Sequence, residues 1–472
     1  MGQEITHSSF SEEDFRRFRD RVVAETALLE QWMAEGLLDT GEPMAGSEIE
    51  AWLVNDRGLP APQNHLFLER MNDPMVVPEL STFNVELNTE PVCFSAGMFD
   101  HMHDELASLW RRCEEVAHAD GAHMLMIGIL PTVQQSDLCL ANISGMQRYQ
   151  ALNEQVLRMR DGQPLSLDIS ALEHLVAEHD DVMLEAATTS FQIHLKIDPE
   201  QARRAYNISK MISAPMVALS ANSPFLFGHE LWDETRIPLF EQSVAVGASD
   251  YSKRVTFGVR YAEHSIMECF EANRDRYPVL LPQLMDEPVE SLAHLRLHNG
   301  TIWRWNRPLV GFSENGKPHI RIEHRVVPSG PSPLDVVANA AFYFGLLREL
   351  IDSENRAEER LPFITAKENF YSAACRGLHS RITWFDGQEG SIVDLCLQKL
   401  LPQARAGLER MGIPAQETAR WLGIIEARIE GRQTGAHWQR KWVARYGKDF
   451  PALVRAYREM QDSGKPVSQW NL

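Results

Sequence analysis

The sequence predicts an α+β fold in which a mainly antiparallel sheet is flanked by helices and followed by a helical C-terminal part. Two observations carry this. Four segments, 46–53, 83–90, 191–197 and 320–326, alternate polar and apolar residues with the two-residue period of a strand. Strands and helices then interleave as far as Pro333, after which the periodicity is almost entirely helical.

The elements follow in order. Ser11 ahead of Glu12, Glu13 and Asp14 starts a helix, and Phe15, Phe18, Val22, Leu29 and Met33 carry its apolar face to about residue 37. A strand over 46–54 ends in a turn at 55–58, and a second strand covers about 82–90. Met98, Met102, Leu106, Leu109, Cys113 and Val116 mark one face of a long helix. Residues 123–130 read as a buried strand, and a strand over 189–197 leads into a helix over 199–218 that breaks at Asn222-Ser-Pro224. The pair Asn299-Gly300, flanked by Leu295, Leu297, Ile302 and Trp303, reads as a hairpin. A turn at 313–316 feeds a strand over 319–327. Helices are expected over 334–353, 391–412, 415–431 and 449–462. The chain thus divides into an N-terminal helix packed on the core (1–45), a sheet-containing core (46–335) and a mostly helical remainder of the same unit (336–472).

At 472 residues, 44% hydrophobic and 24% charged, the chain can bury a large core. A net charge of -20 argues against nucleic acid or an anionic membrane as partner. Six cysteines, at 93, 113, 139, 269, 375 and 396, include no Cys-x-x-Cys pair, which points to reduced thiols rather than a zinc cluster or a disulfide framework. The N-terminus is polar and no apolar run nears the length of a membrane span, so a cytoplasmic location is expected.

The functional signal lies in the four alternating strands. One face carries Glu48, Glu50, Glu86, Asn88, Glu90, Gln192, His194, Arg321, Glu323 and Arg325; the other carries Ile49, Leu53, Val85, Leu87, Ile193, Leu195, Ile322 and Val326. Repeated carboxylates on neighbouring strands repel unless cations sit between them. Two carboxylates about 7 Å apart along a strand can serve separate hard cations. Glu79, seven residues before Glu86, is a further candidate. His194 is a ligand candidate or a hydrogen-bonded core histidine. Glu323 is a metal ligand or half of a structural ion pair, and Arg325 is a clamp for phosphate oxygens. The segment 311–317 imitates a phosphate-binding loop, but Pro318 replaces the required Ser/Thr and a strand follows instead of a helix.

These residues fall in motifs: Gly46-x-Glu48-x-Glu50; Glu86-Leu-Asn88-Thr-Glu90-Pro91; Ile127-Gly-x-x-Pro131-Thr132 with Arg148-Tyr149; Thr189-Ser-x-Gln192-x-His194; Ser220-Ala-Asn222-Ser-Pro224 with Arg236; Arg321-x-Glu323-x-Arg325; and Glu368-Asn369 through Arg376-Gly377-Leu378. In this order the set resembles the glutamate–cysteine ligase family, in the branch of carboxylate–amine ligases with a glutamine synthetase-like fold. The resemblance implies a curved antiparallel sheet holding ATP and two or three Mg²⁺ or Mn²⁺ ions. It implies Glu48, Glu50, Glu86, His194 and Glu323, with Glu79, as metal ligands. It places Arg325 on phosphate, with Arg321 and Gln192 in the nucleotide site and Arg236 or Arg254 on the substrate carboxylate. The implied reaction forms an amide through an acyl phosphate, most simply from glutamate and cysteine. Small-molecule substrates are the expected partners, and a homo-oligomer is compatible with the sequence. Rival readings are a ligase for another acid and amine, a phosphotransferase on the same kind of sheet, and a binding protein without turnover.

Overall fold

The computed structural model describes residues 5, 9–246, 253–353 and 356–472. Its sheet is organised by β1 (Met44–Asn55), around which β2 (Val76–Pro78), β3 (Asn84–Asn88), β4 (Val92–Cys93) and β5 (Ala122–Leu125) assemble. A peripheral hairpin of β6 (Leu165–Ser170) and β7 (His174–His179) precedes β8 (Phe191–Ile197) and the short pair β9 (Phe225–Leu226) and β10 (His229–Glu230). β11 (Asn306–Phe312) and β12 (Pro318–His324) close the sheet, and β13 (Arg381–Thr383) and β14 (Glu389–Ser391) form a small separate ribbon. The main order is β11-β12-β8-β1-β3-β2, with β4 and β5 also on β1, and every pair is antiparallel. The sheet curls into a half-barrel, as a glutamine synthetase-like α+β fold requires. Trp52 faces both Asn84 of β3 and Leu125 of β5, so β5 takes over from β8 along that edge of β1.

The apolar face of the sheet is covered by helices. Pro199–Ser220 lies against β11 and β12, Pro333–Asp352 packs behind it, and Leu401–Arg410 and Ala415–Glu430 pack behind that. Ile49, Val85, Leu87, Ile193, Ile322 and Val326 are all within 1% of full burial, each contributing about 2 kcal/mol of transfer free energy. Where two of the helices cross, Gly345 and Gly407 touch backbone to backbone: a Cβ on Gly407 would lie 1.8 Å from the Gly345 carbonyl oxygen. Buried Arg428 ties the C-terminal helices to this layer, donating to Asp335 Oδ1 at 2.8 Å and to Asn339 Oδ1 at 2.6 Å.

Several expectations change. The N-terminal helix spans Glu12–Ala34 with a capping box between Ser11 and Asp14, and β1, β3, β8 and β12 fall within a few residues of their predicted places. Asn299-Gly300 is not a hairpin: it ends the helix Ala293–Gly300, with Leu292 and Leu295 buried on one face of that turn. Asn-Gly stops a helix as readily as it turns a hairpin, and the apolar residues around it fit either period. The strand expected over 123–130 stops at Leu125 because the helix Phe450–Asp462 takes over its backbone groups. Gln461 Oε1 accepts from Met126 N at 2.8 Å, and Tyr457 donates to Met126 O at 2.8 Å. The helix expected over 391–412 contains a π turn at Cys396–Leu400 just ahead of Pro402. The phosphate-loop look-alike is the β11–β12 turn, closed by Ser313 N donating to Lys317 O at 2.9 Å.

Candidate active site

The register of the strands decides which polar side chains meet. Glu50 stands opposite Glu86, Glu48 stands between Asn88 and Gln192, and His194 stands between Gly46 and Glu323. Arg307 of β11 stands opposite Glu323. Opposed residues in a sheet share a face, so the alternation of the sequence becomes one continuous polar surface. It floors a cavity of about 550 Å³, within the size range of small-ligand sites. Glu90 leaves this face: it is exposed beyond the end of β3, and its N–H donates to Glu105 Oε1 at 2.9 Å.

At one end of the cavity Glu50, Glu79 and Glu86 bring ligand oxygens within 4.8 Å of one another. Glu50 is oriented by Ser190, whose N–H and hydroxyl donate at 2.6 and 3.0 Å, and by Gln192 Nε2 at 3.0 Å. Glu79 sits on the loop after β2, with Oε2 accepting from Leu80 N at 3.2 Å. Burial, then the charges of Glu48 and Glu50, push the Glu86 carboxyl up to about 7. Burial, then Glu86 and Glu50, push Glu79 well above the carboxylate range. Glu185, from the turn Val182–Ala187, faces the same cavity and is raised to about 7 by burial and then by Glu50, against Arg325 and Arg148. Converging buried and half-buried carboxylates that resist ionisation next to each other form an oxygen-rich donor set of the kind a hard divalent cation takes. The residues therefore fit Mg²⁺ or Mn²⁺.

The other end is neutralised from within. Arg307 donates to Glu323 through Nη2 at 2.7 Å and Nε at 3.2 Å, and Arg325 Nη1 approaches the same carboxylate at 3.5 Å. Burial opposes charge on Glu323, but Arg307, Arg325 and His194 outweigh it and hold the carboxyl at about 2. Arg321 and Arg325 both line the cavity, and each keeps its Nε buried with no hydrogen-bond partner. Between the ends, His194 Nε2 lies 3.4 Å from Glu48 Oε1. Burial penalises charge on Glu48, yet His194 and Arg321 hold it well below the usual range. Neither ring nitrogen of His194 has a hydrogen bond of good geometry, so the imidazole is aimed at the carboxylates and committed to none.

The structure thus gathers Glu48, Glu50, Glu79, Glu86, Gln192, Arg236, Arg321, Glu323 and Arg325 around one cavity, with His194 directly beside it. Among the described residues the convergent carboxylate trio is Glu50, Glu79 and Glu86; Glu48, His194 and Glu323 extend it along the sheet. Arg236 lines the cavity but spends its donors on structure. Its Nε donates to Glu234 at 3.0 Å and its Nη1 to the Arg325 carbonyl at 3.2 Å, with Nη2 on the Val326 carbonyl. Arg254 does not reach the cavity: it is buried behind the wall, donating to Thr301 O at 3.0 Å and to the Pro278 carbonyl. Glu185 and Arg307 were not singled out from sequence. Arg307 had a signal, because counting back from the turn at 313–316 puts it opposite Glu323. Glu185 lies in a 3₁₀ segment with no period to read.

The family model for glutamate–cysteine ligase family 2 matches residues 44–459. The chain belongs to that family. A sequence search of curated proteins finds no match. Among solved structures, the glutamate–cysteine ligase of Francisella tularensis in complex with AMP superposes with a TM-score of 0.53 at 12% identity, over 91% of this chain and 95% of that one. A bifunctional glutathione synthetase from Pasteurella multocida gives a TM-score of 0.51 at 10% identity, over 93% of this chain and 55% of that one. Such identities establish a shared fold. Family membership places this chain among the ligases, and its match begins at the first residue of β1 and runs through the cavity into the C-terminal helices. Among the described residues no helix is long and apolar enough to cross a membrane.

Proposed function

We propose that this family member is an ATP-dependent carboxylate–amine ligase that joins glutamate to cysteine as γ-glutamylcysteine. The observation that carries the reading is the division of one cavity into a convergent carboxylate trio, Glu50, Glu79 and Glu86, and a pair of inward-facing guanidinium groups, Arg321 and Arg325. A site for attack of a carboxylate on a triphosphate needs both, because the two reactants are anions and repel.

The chain's residues then divide the work. Glu50, Glu79 and Glu86, with Glu48 and His194 alongside, would hold two or three Mg²⁺ or Mn²⁺ ions, which would neutralise the phosphates. Arg325 and Arg321 take the oxygens of the transferring phosphoryl group. Glu323 and Arg307 fix the angle of the Arg325 side chain, and Arg236 holds the backbone carbonyls of Arg325 and Val326. A glutamate γ-carboxylate oxygen forms a bond to the γ-phosphorus as the bond to the bridging oxygen breaks, and ADP leaves. The amine nitrogen then bonds to the acyl carbon, phosphate departs with the C–O bonding pair, and the nitrogen loses a proton to give the amide.

The test is ADP release from ATP and Mg²⁺ with glutamate against a panel of amines that includes cysteine. Release that requires both glutamate and cysteine, with a γ-glutamyl dipeptide by mass, is the expected result. Dependence on another acid or amine would keep the reaction and replace the substrate. A phosphorylated product without free phosphate would make the chain a phosphotransferase, and tight ATP binding without turnover would leave a binding protein.

A further inference from the structure

The helix Ala293–Gly300 packs on β11 and forms part of the wall of the active cavity. Its N-cap residue, Leu292, has a φ of +52° and offers no side-chain acceptor. The first amides of a helix need an acceptor, and here it comes from another helix. Glu25 of the N-terminal helix is 0% exposed; its Oε2 accepts from Leu295 N at 2.8 Å, and its Oε1 lies 2.7 Å from His294 Nδ1. His294 Nε2 accepts from Met285 N at 3.1 Å, which leaves the imidazole proton on Nδ1 to donate to Glu25. Arg21, one turn before Glu25, places Nη2 3.2 Å from Glu25 Oε1 and donates from it to the Glu287 carbonyl at 2.7 Å. The N-terminal helix thus holds the cavity wall at Glu287, His294 and Leu295.

The residue after Leu295 is Arg296, which lines the cavity and is exposed at its edge. Its guanidinium carbon lies 5.9 Å from the Phe312 ring centroid of β11. Among the described residues it makes no hydrogen bond or ion pair. Arg321 also lines the cavity, opposite Leu309 of β11, and its Nε is buried without a partner. The two guanidinium groups are near enough that the charge of Arg321, after burial, lowers the Arg296 pKa. Beside them Ala293, Leu297, Leu309 and Val310 give the cavity an apolar flank. Guanidinium forks match phosphate oxygens, and an apolar flank suits a flat base. Together they fit a nucleoside polyphosphate better than an amino acid, which has no flat apolar body.

We propose that Arg296 binds the nucleotide phosphates that are not transferred, beside Arg321, and that Glu25 is its positioning residue. This rests on the ATP-dependent reading above and adds the direction in which the nucleotide lies. Its phosphate chain runs from the carboxylate trio towards Arg321 and Arg296, with the base against Leu297 and Leu309. A helix of two turns has little stability of its own, so the acceptor that Glu25 supplies at its start sets where Arg296 points.

The experiment is calorimetric titration of the full-length protein with ADP and Mg²⁺, which involves no turnover. Arg296→Ala should weaken ADP binding about tenfold, as loss of one charge-assisted contact would, and Arg296→Lys should recover part of it. Inorganic tripolyphosphate should lose as much as ADP. Glu25→Gln, which keeps the shape and removes the charge, should weaken ADP about threefold when Arg296 is present and cost nothing further in Arg296→Ala. An equal loss in both backgrounds would make Glu25 merely structural and overturn its positioning role. Unchanged ADP binding in Arg296→Ala overturns the assignment, as does an effect confined to the KM for glutamate. If Glu25→Gln does not fold, Glu25→Asp, which keeps the charge and shortens the reach, completes the same cycle. A wild-type protein that binds no ADP would refute the nucleotide reading itself, whereas ADP binding that ignores Arg296 refutes this inference alone.

Discussion

The two ends of the active cavity use the same side chain to opposite effect. Glu86 and Glu323 are both almost fully buried on the same sheet face, yet one carboxyl is pushed up to about 7 and the other held at about 2. Burial penalises both. The difference is company: Glu86 meets Glu48, Glu50 and Glu79, whereas Glu323 meets Arg307, Arg325 and His194. A carboxylate whose charge is balanced inside the fold positions its partners, and one whose charge is not balanced is poised for a cation from outside. On the proposed reading, the acidic end would take the metal and the basic end would aim Arg325.

If that contrast is right, the largest effects fall at the acidic end. Glu50→Gln or Glu86→Gln should lower turnover by about a thousandfold or more at saturating Mg²⁺, while circular dichroism stays native; near-native rates in either would refute the metal assignment. Arg325→Ala should lower turnover by about a hundredfold and raise the KM for ATP, with the metal-induced rise in Tm intact. A loss of that rise would mean that the two ends are not separate. Arg307→Ala leaves Glu323 buried with a weakened partner set and should cost about 3 kcal/mol of stability in denaturant unfolding. The double variant Arg307→Ala, Glu323→Gln should recover part of that loss, because no uncompensated charge remains.

The smallest effect is in pH. Glu86 has a folded value of about 7 against an ordinary 4.5, so its contribution to the metal-free fold is complete below about pH 4.5 and is lost as pH rises through 7. Glu323 is lowered to about 2, so its contribution is present above pH 4.5 and lost as pH falls towards 2. The Tm of the metal-free protein should therefore decline between pH 5.5 and 8, and Mg²⁺ should raise it more at pH 8 than at pH 6. A Mg²⁺ effect that is equal at both pH values would break the comparison.

Much of this site could be read from the chain. Alternation in 46–53, 83–90, 191–197 and 320–326 put Glu48, Glu50, Glu86, Gln192, His194, Arg321, Glu323 and Arg325 on one face, and the register confirms that they share it. Glu79 was placed only by its distance from Glu86, and the loop does carry it into the trio. Periodicity failed where there was none to use. Glu185 rides a 3₁₀ turn, and the run 295–303 fitted a hairpin and a helix equally well until packing chose the helix. The helices Gln147–Met159, Met267–Arg276, Phe363–Arg376 and Gly435–Tyr446 also went unassigned. Arg254 and Arg236 show a further limit, since sequence names a guanidinium but not what it will bond to.

By itself, then, the sequence determined which side chains face the cavity, because a strand's two-residue period is a local property of its backbone. Tertiary structure alone decided which of those charges are neutralised. That depends on what stands around them in the fold: Arg307 opposite Glu323, and further carboxylates around Glu86 with no more than the neutral Asn88 amide donating to it among the described residues. Coulomb energy in a buried site follows distances of a few ångströms between residues far apart in the chain, and no local pattern encodes them.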